Sequence, residues 1–139
     1  MNPKHVAAVQ NSFKMVLPIK DLVAELFYER LFELDPSLSD VFPSDLTEQR
    51  KKLLAALATV VSGLSQPETV LPTVEALGAR HVDYGTEVSH YATVGEALIW
   101  TLSHALKNEF TPEVHEGWEA AYTLLSEAMI KATANARVA

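Results

Sequence analysis

Cysteine is absent from this 139-residue chain, which excludes disulfides, thiolate catalysis, iron–sulfur clusters and cysteine-ligated zinc. No run approaches the roughly 18 apolar residues that cross a bilayer, and MNPKHVAAVQNSFK lacks the apolar stretch of a signal peptide. Positive charge is short: 11 Lys and Arg stand against 18 Asp and Glu, a net charge of -7. A broad phosphate-neutralising surface is therefore missing, so neither nucleic acid nor an anionic membrane is expected as a partner. There is no GxGxxG for a flavin or nicotinamide, and no two histidines stand four apart on one helix as a zinc pair. No segment alternates apolar and polar residues for long, which removes a sheet. A cytoplasmic protein without membrane insertion is the expectation.

What is present is a globular balance, 48% hydrophobic and 21% charged, at the length of one domain spanning 1–139. The apolar residues recur with helical period nearly throughout, predicting an all-α fold of about seven helices. Their spans are approximately 4–16, 19–34, 37–42, 45–64, 69–83, 90–108 and 111–134. Pro18, Pro36, Pro43, Pro67 and Pro112 mark segment starts, and Gly85 a stop. Thr111 is predicted to cap the last helix, with Pro112 in its first position.

One apolar stripe, Val70, Val74, Leu77, His81, runs at spacings of four, three and four, so His81 ends a face that packs inward. A titratable ring there needs a partner, either a carbonyl or a metal such as haem iron. A second stripe runs backwards from Leu64 through Val60, Leu57 and Leu53, and its next position is Gln49, a polar amide at the head of a core face. Phe27, Tyr28, Leu31 and Phe32 precede it on another helix. Buried Tyr28 and Gln49 would both require hydrogen-bond partners, and one small polar ligand between them would serve both.

The segments LFYERLF (26–32), DPSLSDVF (35–42), EQRKKLL (48–54), LGARHVDYG (77–85), HYATVGEALI (90–99) and WEAAYTLL (118–125), in this order, resemble the globin family. Within it they are similar to bacterial single-domain haemoglobins and the globin domain of flavohaemoglobins. The resemblance implies a globin fold around haem b (iron protoporphyrin IX), with His81 as the proximal iron ligand. It implies Tyr28 and Gln49 as distal donors, Leu53 as a distal apolar wall and Phe42 as the ring stacked on the haem. Tyr91 matches a tyrosine of a proximal network, although the glutamate of that network is not found: Thr133 stands where it is aligned, and Glu127 lies well before it. A core tyrosine bonded to a carbonyl is the other reading of Tyr91. Arg80 and the Arg50–Lys52 cluster are read either as propionate contacts or as solvated surface.

The function implied is reversible, high-affinity oxygen binding for transport or storage. A phenol and an amide hold a gas ligand that takes on negative charge more tightly than they hold carbon monoxide. The alternative is a nitric oxide dioxygenase that detoxifies nitric oxide. Tyr28 and Gln49 would then be its catalytic candidates, and a separate reductase its partner, since no reductase motif is present. A haem-based gas sensor ranks third. Oxygen, carbon monoxide and nitric oxide are the expected haem ligands, and the chain is expected as a monomer or homodimer.

Overall fold

The computed structural model describes the backbone of residues 2–42, 44–83 and 88–138, and the side chains within those spans apart from 41, 67, 77–83, 88 and 133–138. Among the described residues there are six α-helices and no strand: α1 Pro3–Val16, α2 Lys20–Leu34, α3 Thr47–Ser62, α4 Pro67–Asp83, α5 Val88–Leu106 and α6 Pro112–Val138. Three 3-10 segments, Leu17–Ile19, Pro36–Val41 and Lys107–Glu109, join them. Seven helices were expected. The third of these, 37–42, is the 3-10 segment, a form suited to six residues with proline in the first position.

Local chemistry sets the helix starts. The Asn2 side chain accepts the Lys4 amide at 2.8 Å, with Pro3 at the first helical position. Asp35 Oδ1 accepts the Ser37 amide at 3.1 Å and hydroxyl at 2.6 Å, opening the 3-10 segment. Asp45 Oδ1 does the same for Thr47 ahead of α3, at 3.0 and 2.7 Å. The Thr111 cap is present, its hydroxyl accepting the Val114 amide at 3.3 Å. One proline has the opposite effect: Pro72 lies inside α4 and deprives the Glu68 carbonyl of its helical donor, which its exposure lets water replace. Gly85 lies outside the described residues.

α6 is the organising helix, packed against α4, α1 and α5, while α2 packs on α5. Val9, Phe13, Phe27, Leu31, Val61, Leu98, Leu102 and Trp118 form the centre of one continuous core. The α1–α6 contact is pinned inside that core. Trp118 Nε1 donates to Ser12 Oγ at 2.8 Å, and Ser12 donates to the Val9 carbonyl at 3.0 Å. Both residues are buried, so each polar atom has the partner that burial demands. α4 rests on α6 and hardly touches α3; the two meet at their junction, where Val70 fills the place a Cβ on Gly63 would take. Among the described residues α3 and α4 thus diverge beyond that junction.

Candidate functional site

The α3 stripe shows why this divergence matters. Leu64 and Val60, near the junction, are buried, whereas Leu57, Leu53 and Gln49, progressively farther from it, are only half-buried. An apolar helix face normally closes against a neighbour. Here it stays part-open away from the junction, and the polar amide stands at its far end.

α2 brings Tyr28 to that same end. The side chain is 4% exposed, and its hydroxyl donates to the Gln49 backbone carbonyl at 3.4 Å. That distance is long for an O–H···O bond. Burial raises the Tyr28 pKa above its ordinary value of 10.0, while the nearby Gln49 amide and the positive charge of Arg50 pull it partly back. The phenol is consequently a neutral donor across the physiological range, loosely held and beside a second neutral donor, the Gln49 amide.

Aromatic rings hold Tyr28 in place. Phe27 meets its ring edge-on at 5.0 Å and 85°, and Phe42 does so at 5.7 Å and 72°. Phe32 lies 6.1 Å from Tyr28 and 5.7 Å from Phe42. Phe42 reaches this cluster because the 3-10 segment ends in extended backbone, φ -106° and ψ 152°, which turns the chain back across α2. Three aromatic rings therefore brace Tyr28 at the donor end of the open α3 face.

The basic cluster divides. Lys51 pairs with Glu48 at 3.5 Å on an exposed face, and Lys52 is exposed. Arg50 is half-buried, with its Nε shielded from solvent and lacking a hydrogen-bond partner. Its influence on Tyr28 is a feature that helical spacing concealed; the only cue in the sequence was its position beside Gln49.

On the opposite side, α4 carries Val70, half-buried, and Val74, 4% exposed. His81 belongs to α4, on the same stripe, but its side chain and that of Arg80 lie outside the described residues. Tyr91 is buried at the start of α5, where its carbonyl accepts the Tyr122 hydroxyl at 2.6 Å. Burial, reinforced by Tyr91, drives the Tyr122 pKa far above the usual phenol range. The Tyr122 ring occupies the space beside Gly95, where a Cβ would come within 2.7 Å of Cε2. Sequence inspection passed over Tyr122, and only its i, i+4 relation to Trp118 marked it as inward-facing.

Of the other histidines, His5, His90 and His115 are half-buried and His104 is exposed. His5 faces Glu116 at 3.5 Å and His115 faces Glu119 at 2.6 Å, while exposed His104 stacks on Trp100 at 3.9 Å. Among the described residues no cluster of histidine and acidic side chains could hold a bare metal ion. No helix there is long and apolar enough to cross a membrane.

Comparison with known proteins bears on this arrangement of a part-open apolar face with neutral donors at one end. The chain is 25% identical over 135 residues to a flavohemoprotein of Bacillus subtilis and 28% identical over 133 residues to one of Bordetella parapertussis; each alignment covers 94% of this chain and 33% of the relative. It spans about a third of the length of these curated relatives. Among solved structures, a bacterial globin from Campylobacter jejuni superposes with a TM-score of 0.86 at 18% identity, covering 97% of this chain and 98% of that one. An engineered carbene transferase, derived from a candidate nitric oxide dioxygenase of Rhodothermus marinus, superposes at 0.89 with 20% identity, covering 99% and 96%. At these identities the superpositions establish the fold, and the family follows from sequence: the model of the globin family matches residues 25–129, well over half of the chain, and the protein belongs to the globins.

Proposed function

We propose that this globin binds haem b between α3 and α4, and that it uses Tyr28 and Gln49 to retain oxygen reversibly and with high affinity. The observation that carries the reading is the pair of neutral donors, a loosely held buried phenol and an amide, at the head of an apolar face left part-open. A flat, largely apolar ring would suit the half-buried Leu53 and Leu57, where a polar cofactor would leave its groups unsatisfied. Haem, when bound, supplies the iron centre at which a diatomic gas is held.

The roles of the chain's residues follow from their chemistry. His81, as a neutral imidazole on the α4 stripe, is proposed as the proximal ligand. Tyr28 donates a proton in a hydrogen bond without releasing it, because burial keeps the phenol neutral. Gln49 donates from its amide and can orient Tyr28. Leu53 and Phe42 exclude water, which protects a bound gas from proton-assisted loss. Arg50, half-buried beside this end, and Arg80 are proposed to meet the haem carboxylates.

A second reading is supported by the names of relatives. Flavohemoproteins three times the length of this chain and a candidate nitric oxide dioxygenase share its sequence pattern or fold. The same pocket would then turn oxygen and nitric oxide into nitrate, and each cycle would need an electron from a separate reductase. Rapid mixing of the oxygenated protein with nitric oxide, with and without a reductase, separates a single turnover from an enzyme.

The primary test is the anaerobic ferrous absorption spectrum of the haem-supplemented protein, before and after carbon monoxide, beside His81→Ala. A Soret band that depends on His81 and shifts with carbon monoxide is the expected result. A band indifferent to the substitution, or none, overturns the proposal.

A further inference from the structure

α3 is held firmly at one end and lightly at the other. Val60, Val61 and, just past its last residue, Leu64 are buried. Gln10 on α1 donates from Nε2 to the Val61 carbonyl at 3.0 Å, and Val70 packs against Gly63. The first turn, residues 47–50, sits differently: Thr47 and Glu48 are exposed and Gln49 and Arg50 only half-buried. Yet this turn carries both groups that act on Tyr28, the Gln49 carbonyl at 3.4 Å and the charge of Arg50. A helix end is also where backbone opens most readily, because its first amides have no partner within the helix.

Asp45 supplies a partner there. Its Oδ1 accepts the Thr47 amide at 3.0 Å and the Thr47 hydroxyl at 2.7 Å, and the Arg50 amide donates to the Leu46 carbonyl at 2.8 Å, closing the turn. The hydroxyl and the amide of Thr47 hold the Asp45 carboxyl below its usual range, with Arg50 adding a smaller pull in the same direction. The acceptor at neutral pH is therefore a carboxylate, the stronger form of such a bond. Asp45 itself is exposed. Its connection to Tyr28 runs through the turn, from the carboxylate to Thr47, along the backbone to Gln49, and from the Gln49 carbonyl to the phenol.

We propose that Asp45 is a positioning residue of the gas site: it fixes the first turn of α3 so that the Gln49 amide and the Tyr28 phenol, which rests on the Gln49 carbonyl, stay aligned on one bound ligand. The inference rests on the reading of Tyr28 and Gln49 as the donors. A hydrogen bond weakens steeply with distance and misalignment, so a turn that opens part of the time withdraws its donors for that time. Oxygen, which draws on the donors, feels the loss, and carbon monoxide feels it much less. α3 as a whole does not depend on Asp45, because its other end is built into the core. That asymmetry is what separates a positioning role from a structural one.

The test compares the haem-supplemented full chain with Asp45→Ala and Asp45→Asn. Asp45→Ala should speed oxygen release about twofold to fivefold, the scale of a lost helix cap, with carbon monoxide release nearly unchanged. Asp45→Asn keeps an acceptor oxygen and should restore most of the parent rate. Amide hydrogen exchange reads the turn without reference to gas: in Asp45→Ala it should quicken at residues 47–50 and stay as in the parent at Val60 and Val61. In a Tyr28→Phe, Gln49→Leu protein, which has no donors left to align, Asp45→Ala should leave oxygen release as it was. Oxygen release that depends on Tyr28 and is indifferent to Asp45→Ala overturns the inference alone, and indifference to both substitutions overturns it together with the functional reading. Exchange that quickens along the whole of α3 overturns it in favour of a general structural role. An Asp45→Asn protein as fast as Asp45→Ala overturns it in favour of charge acting through Arg50.

Discussion

Replacing Tyr28 by phenylalanine separates its contribution to folding from its contribution to gas binding. The substitution keeps the ring contacts with Phe27 and Phe42 and removes one oxygen. Within the protein that oxygen makes a 3.4 Å bond to a backbone carbonyl, against a usual 2.7–2.8 Å, so about 0.5 kcal/mol is lost with it. Removing a hydroxyl that is nearly fully buried returns on the order of 1 kcal/mol of desolvation. Stability to urea should therefore be unchanged or raised by up to about 1 kcal/mol. The oxygen complex should behave differently, because a donor facing a partly negative ligand contributes about 1.5–3 kcal/mol. Oxygen release, followed by stopped-flow displacement with carbon monoxide, should accelerate roughly tenfold to a hundredfold. Carbon monoxide release should change much less. An oxygen off-rate within about twofold of the parent would remove Tyr28 from the gas site. A stability loss above about 2 kcal/mol would show the hydroxyl to be firmly bound within the protein, contrary to its geometry.

Ser12→Ala takes away the acceptor of the buried Trp118 indole and should cost about 1–3 kcal/mol in urea unfolding; an unchanged midpoint would mean that the indole finds another partner. Gly95→Ala places a methyl 2.7 Å from the Tyr122 ring, and the overpacking should outweigh the gain in helix propensity, leaving a net loss of about 1 kcal/mol; a stabilised variant would refute this. Lys107 has φ 52°, in the region where a Cβ is strained, so Lys107→Gly should raise stability by about 0.5–1 kcal/mol, read by thermal or urea unfolding. Tyr28 and Tyr122 both have folded pKa values above the ordinary phenol value of 10.0. Their neutral forms thus favour the folded state: this contribution is complete below pH 10 and is lost as pH rises through the higher folded values. Urea midpoints should fall above about pH 10, less steeply in Tyr122→Phe, and equal slopes in parent and variant would argue against a buried neutral phenol.

Much of this protein can be read from spacing alone. Counting in threes and fours put Val60, Leu57 and Leu53 on one face of α3, continued by Leu64 just past its end, and these residues belong to the core or pack against it. The helix spans match closely, and Thr111 caps α6, because caps and periodicity depend on residues within a turn or two of each other. What spacing could not supply is the relation between faces. That Tyr28 meets Gln49, that Arg50 turns half inward while Lys51 stays on the surface, and that Tyr122 bonds the Tyr91 carbonyl all depend on how separate helices cross. That relation is set by many weak contacts distant in sequence. The same limit explains the Leu17–Ile19 turn, whose Leu-Pro-Ile composition predicts burial and whose position at the corner between α1 and α2 leaves it without a buried residue. Periodicity within each helix determined the all-α fold and the inward faces; packing between helices decided which of those faces closed, which stayed part-open, and which polar groups were brought together there.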